Sequence, residues 1–137
     1  MPYITITDIT NVIDAVNLQA MVDDYNIGTL QSVTLNNICQ LASDTADSLV
    51  SSIYAVPFSG NPPKKIKNAA IIFAAEMLYQ RRLVPDEKNP FKSQADYWRK
   101  ELMLVNSGQL PLDATIQRVF TPVVFTATKN RVDTNNY

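Results

Sequence analysis

Two adjacent acidic pairs, Asp23-Asp24 and Asp86-Glu87, offer the carboxylates that acid–base work or a metal site would need. Neighbouring residues on a helix point about 100° apart, so neither pair converges on one ligand, and both fall near helix ends, where acids serve capping and solubility. Lys64-Lys65-Ile66-Lys67 with Arg81-Arg82 has the composition of a nucleic-acid patch. The lysines open the helix that the arginines close, about five turns away, so a solvated rim is the expectation. Tyr97-Trp98-Arg99-Lys100 mixes aromatic rings with positive charge, as a base-stacking platform does. Trp98 lies on an apolar stripe, which favours core packing instead.

The remaining chemistry is limited by what the chain lacks. There is no histidine and one cysteine, Cys39, so zinc clusters of Cys and His, Ser-His-Asp triads and Cys-His dyads are excluded by count. Cys39 is expected to be a small helix residue. Three scattered glycines form no phosphate-cradling loop. An enzyme working through carboxylates alone would place acids on the inward faces of buried helices, and Glu76 is the one acid in the central helix. The expectation is no catalysis, no metal and no cofactor.

The elements that position these residues follow from the breakers. The glycines and prolines cluster, leaving windows 29–56, 64–84 and 91–107 free of both. In the first, Val33, Leu41, Leu49 and Ile53, with Ile38, Ala42, Thr45 and Ala46 between them, recur near steps of three and four. That spacing predicts a helix over 32–55, capped by Ser32 or Thr34 and ended by Pro57. The second window opens after Pro62-Pro63 and carries Ile66, Ala69, Ala70, Phe73, Ala74, Met77 and Leu78. Ile71 and Ile72 widen its apolar face, and its alanines let neighbours approach, so it should lie centrally. Arg81 and Arg82 favour its C-terminal dipole. The third window carries Phe91, Ala95, Trp98, Leu102 and Val105 before Gly108 stops it.

Ahead of these, Asp8 to Val16 and Leu18 to Asp24 read as two short helices capped by Thr7 and Asn17, with Ile9, Val12, Ile13, Leu18, Met21 and Val22 inward. Beyond Gly108 the pattern becomes β-branched and aromatic through Val119, Phe120, Val123, Val124 and Phe125, with Pro122 barring a central strand. The reading is an all-α protein, a small bundle of two short and three longer helices, with a helical domain at 1–112 and an extended C-terminal tail at 113–137. One core should hold Ile38, Leu41, Leu49, Ile53, Phe73, Met77, Leu78, Trp98 and Leu102.

Charge is distributed unevenly around a net −1 over 137 residues. Residues 1–60 carry six aspartates and no Lys or Arg, −6, whereas residues 61–137 carry all twelve basic residues against seven acidic ones, +5. The near-zero total argues against binding DNA through bulk electrostatics. Acidic and basic surfaces either neutralise one another within the chain or dock head to tail between copies, and a heterologous contact of that kind closes a ring when its rotation permits. With 46% apolar residues the chain can bury a core, and no run approaches the roughly 18 apolar residues of a membrane span. The opening Met1-Pro2-Tyr3-Ile4-Thr5 has no secretory character, so a soluble protein made in the cytoplasm is expected.

Several pieces in order resemble the Mu-type head-tail connector family of tailed bacteriophages. They are Tyr3-Ile4-Thr5 with Asp8-Ile9, Asp47 followed by Tyr54-Ala55-Val56-Pro57-Phe58, then Pro62-Pro63. Leu78-Tyr79-Gln80-Arg81-Arg82 and Tyr97-Trp98 leading to Gly108-Gln109-Leu110-Pro111-Leu112 complete them, spanning about residues 3 to 112. Ile53 stands where the family often carries a basic residue.

The resemblance implies a virion protein of the neck, an adaptor that forms a ring, usually dodecameric, below the portal. Double-stranded DNA would pass through the ring without sequence readout, and a stopper or tail-completion protein would sit beneath. It implies a C-terminal segment that reaches the portal, here Val119, Phe120, Val123, Val124, Phe125 and Tyr137, by β-augmentation or by filling apolar pockets. Contacts between copies would draw on Asp23, Asp24, Asp44 and Asp47 against Lys64, Lys65, Lys67, Arg81 and Arg82. The rival reading is a small helical DNA-binding regulator, against which the acidic character of the short N-terminal helices counts.

Overall fold

Thr5 starts the helical chain. Its hydroxyl accepts from the Asp8 amide at 3.4 Å and the Asp8 carboxylate accepts from the Thr5 amide at 2.8 Å, a reciprocal capping box that opens helix α1 at Ile6–Thr10. Asp14 caps α2, Ala15–Val22, by accepting from the Asn17 amide at 2.9 Å. Two short helices exist, but the first ends at Thr10 instead of Val16, the second starts at Ala15 instead of Leu18, and their caps are Thr5 and Asp14 rather than Thr7 and Asn17. A computed structural model describes residues 2–58 and 60–112, in which α3 spans Ser32–Ser48, α4 Lys64–Arg81 and α5 Lys92–Asn106, with a single 3-10 turn at Asp86–Lys88 before α5. The described residues contain no strand, and the protein is a small all-α bundle.

Helix α4 is the centre. It buries Ile66, Ala69, Ala70, Ile72, Phe73, Ala74, Ala75 and Leu78, and α3 lies along it as its main neighbour, with α5 and α2 also packed on it and α1 wedged between α3 and α4. The alanines remove side-chain bulk where backbones meet, so the helices approach closely and exclude water. Helix α5 faces this core through Ala95, Leu102 and Val105, with Phe91 partly buried at its edge; Trp98 and, on α4, Met77, both expected in the core, are only partly buried against it. Gly108 ends it at φ +86°.

Helix α3 departs from expectation twice. Its buried face is Leu35, Ile38, Cys39, Ala42, Ser43, Ala46 and Asp47, continuing to Val50 and Tyr54, whereas Val33 and Leu41 are 73% and 56% exposed. Leu49 and Ile53 only flank the core. Helix α3 also stops at Ser48, not near 55, and starts at Gln31 without a side-chain cap from Ser32 or Thr34. Ser48 and Ser51 hydroxyls donate to the carbonyls of Thr45 and Ser48, and Asn106 Oδ1 accepts from the Ser52 amide at 3.1 Å, so the backbone leaves the helix for turns. Val12, expected inward, is 40% exposed.

Candidate functional site

Three of the pieces that carry the resemblance, those holding Tyr3, Asp47 and Phe58, meet at Tyr3. Its amide donates to Ser43 Oγ at 3.0 Å and its hydroxyl donates to Asp47 Oδ2 at 2.7 Å, both on α3. The same hydroxyl accepts from the Phe58 amide at 2.9 Å. One phenol thus fastens the N-terminus, α3 and the 54–58 turn, with the Phe58 ring 6.3 Å from Tyr3 and 6.4 Å from Tyr54. Tyr54 Oη in turn accepts from the Leu112 amide at 3.4 Å, and Lys65 Nζ donates to the Pro111 carbonyl at 3.2 Å, which ties the end of the described chain to the same side. Burial, then the bond to Asp47, pushes the Tyr3 phenol well above its ordinary range. Burial also raises the Asp47 carboxyl, with Asp44 adding to it and the Tyr3 bond opposing it.

Asp47 is 7% exposed and its Oδ1 has no hydrogen-bond partner. It therefore lies in the wall of the molecule, where it also lines an open cleft. Beside it a cleft of about 420 Å³ is lined by Gln40, Asp44, Asp47, Ser48, Ser51, Val56 and Pro57. Asp44, on the exposed side, accepts from Gln40 Nε2 at 2.8 Å. The cleft is open to solvent, with Asp44 and Asp47 on an acidic side and Val56 and Pro57 on an apolar one.

The other acidic residues are engaged locally. Asp23 accepts from the Ile27 and Gly28 amides at 3.0 and 2.7 Å, which shapes the loop after α2. Asp24 pairs with Arg81 at 2.5 Å, and Asp8 with Lys67 at 3.9 Å. Arg82 donates to the Ala20 carbonyl. Acidic and basic halves thus partly neutralise one another within the chain, and Arg81 and Asp24 sit on each other instead of on opposite faces. Lys65 pairs with Glu101 at 3.8 Å, while Lys64 is exposed without an ion pair to any described residue.

A second cluster was legible only in part. Glu76, 1% exposed on α4, pairs with Arg99 of α5, which also bonds Asp96 at 2.8 Å and lies 5.4 Å above the Phe73 ring. The Arg99 charge is disfavoured by burial, but the Glu76 and then the Asp96 bonds outweigh this and raise its pKa. The buried Asn89 amide donates to the Glu76 carbonyl at 3.3 Å, holding the α4–α5 connection. The signal for Glu76 was a lone acid on an otherwise apolar face, and that for Asp47 its place among the resemblance pieces; the identity of their partners had no local signature.

Among the described residues no three acids, cysteines or histidines gather to hold a metal, and no helix is long and apolar enough to cross a membrane. Val119, Phe120, Val123, Val124, Phe125 and Tyr137, assigned to a partner-docking tail, lie outside the described residues. No curated protein matches the sequence. The Tyr3 knot, the α4 core and the Leu112 tie follow one another along residues 3–122, the stretch that matches the family model described as Bacteriophage Mu, Gp36, and the chain belongs to that family of phage proteins.

Proposed function

We propose that this phage protein is a head-to-tail adaptor, a structural component of the virion neck that assembles as a ring of identical copies below the portal and lets double-stranded DNA pass unread. The observation that carries the reading is the family match over residues 3–122; within it, hydrogen bonds join Tyr3 to Asp47 and Phe58, and Tyr54 to Leu112. A body fastened this way is rigid where neighbours would press on it. Its role is mechanical, not catalytic, and needs no cofactor. Imaging the protein with and without the portal protein of its phage tests the reading: a ring on the portal is expected, and a portal that never acquires one would sink it.

The acidic cleft at Asp44 supports contact with the basic start of α4 on a neighbour. Reversing charge at Lys64, Lys65 and Lys67 should impair ring formation while leaving the fold intact. The exposed pairs of Lys65 and Lys67 contribute only about 0–1 kcal/mol each to stability, whereas like charges facing each other across an interface repel. Ring yield and thermal unfolding of this variant, read side by side, check both halves; unchanged assembly removes the charge contact.

Residues 119–125 supply the contact to the portal in this reading. Replacing Phe120 and Phe125 together by Ala should weaken portal docking by about tenfold or more, since each buried ring contributes about 1.5–3 kcal/mol. Normal affinity of the double variant in a pull-down would move the contact to the helical body.

A further inference from the structure

Helices α4 and α5 end in the same hydrogen-bond pattern but with different residues at the left-handed position. After α5, the Gly108 amide bonds the Val105 carbonyl at 3.1 Å and the Gln109 amide bonds the Leu104 carbonyl at 3.0 Å, with Gly108 at φ +86°. After α4, the Leu83 amide bonds the Gln80 carbonyl at 2.9 Å and the Val84 amide bonds the Tyr79 carbonyl at 3.3 Å, with Leu83 at φ +58°. Glycine suits this position because it has no Cβ; a leucine there is strained. Leu83 is moreover 89% exposed, so the fold of one copy gains nothing from its side chain.

The outer face of α5 has the opposite shape. Lys100, Met103, Leu104, Ser107 and Gln109 line an apolar groove of about 430 Å³, opposite the face that carries Ala95, Leu102 and Val105 into the core. Met103 is 60% exposed and nothing among the described residues covers it. The groove lies at the far end of the α4–α5 pair from Leu83, because Lys65 at the start of α4 reaches Glu101 and Pro111. Eighteen residues of α4 separate the two ends by about 27 Å, so Leu83 cannot reach the groove of its own chain. Charge fits the same pairing. Asp86, Glu87 and Lys88 give the turn after Leu83 a net −1, and Lys100 puts +1 at the groove, with no ion pair for any of them among the described residues.

We propose that Leu83 of one copy seats in the α5 groove between Lys100, Met103 and Leu104 of the next, as the apolar lock of a head-to-tail contact between copies of this chain. The inference rests on the ring reading and names the contact. A knob and a groove at opposite ends of one chain make a heterologous interface, which propagates and closes if its rotation allows. The strain at Leu83 is retained because the side chain acts in the assembly.

Mixing full-length copies carrying Leu83→Cys with copies carrying Met103→Cys, at millimolar concentration under oxidation, should give a disulfide-linked dimer, while either variant alone should not link. Cys39 is buried and present in all samples. A second variant, Leu83→Gly, should move two readouts in opposite directions: the melting temperature rises by a few degrees as the strain is relieved, and association weakens about tenfold or more as the knob is lost. Linking of Met103→Cys copies with themselves would make the contact isologous and overturn the proposal. So would a link within one chain between Met103→Cys and Phe120→Cys that displaces the mixed dimer, since the groove would then hold the chain's own tail. If rings form on the portal and the mixed pair stays unlinked, the contact is wrong and the adaptor reading stands. If no ring forms and the mixed pair links, the contact holds and the adaptor reading falls.

Discussion

Replacing Phe73 by Ala is expected to cost about 3–5 kcal/mol in equilibrium denaturation. Phe73 is fully buried midway along α4, the helix against which every other helix packs. Around it stand Ala69, Ala70 and Ala74, side chains too small to move into the space a lost ring would leave. The penalty is therefore the transfer of the ring plus a cavity that stays open. Arg99, 5.4 Å from the ring, also loses its aromatic support. A domain of this size is stable by about 5–15 kcal/mol, so the variant should sit near its unfolding midpoint at modest temperature. A loss below about 1 kcal/mol would show that α4 is not the centre of the fold.

How much of this was readable in advance depended on whether the determining contact was local. Helix α4 was legible because Pro62-Pro63 fix its start and a wide apolar face leaves it no exposed register to choose. Helix α5 was legible because Phe91, Ala95, Trp98, Leu102 and Val105 lie on one stripe. Helix α3 was misread by following its largest apolar residues. Val33 and Leu41 are exposed, while the face against α4 uses Cys39, Ala42, Ser43 and Ala46, small residues that allow close approach. Beyond its early end at Ser48, the Ser52 amide bonds Asn106, 54 positions away. No periodicity within residues 29–56 encodes that bond.

The site was divided in the same way. Tyr3, Asp47 and Phe58 were marked in sequence by resemblance, yet their convergence on one hydroxyl is a tertiary fact. The −6 and +5 partition was legible as arithmetic, but the Asp24–Arg81 and Asp8–Lys67 pairs show that part of it closes within one chain. Leu83 carried no warning at all. A leucine after a basic helix end is ordinary until its backbone is seen in the conformation that Gly108 adopts at the end of α5.

Arg99→Met should destabilise the protein by about 3 kcal/mol, through Glu76 rather than through Arg99 itself. The Glu76 side chain is 2% exposed, one of its oxygens already lacks a partner, and Arg99 neutralises the other. Removing the guanidinium leaves a carboxylate buried between α4 and α5 without its partner. Breaking such a pair costs about 3–5 kcal/mol, and the lower end applies because the Arg99 side is 35% exposed and admits water once the side chain is shortened. Asp96, itself a carboxylate, cannot replace the lost cation, and it stays paired with Lys92 at 3.2 Å on the solvent side. The double variant Glu76→Met with Arg99→Met separates the causes. If the cost is an orphaned charge, the second substitution should recover most of the stability, because apolar replacement of a whole buried pair is close to neutral. If the double variant is instead as unstable as Arg99→Met alone, the guanidinium's packing on Phe73 is what joins the two helices, and the ion pair is incidental to it.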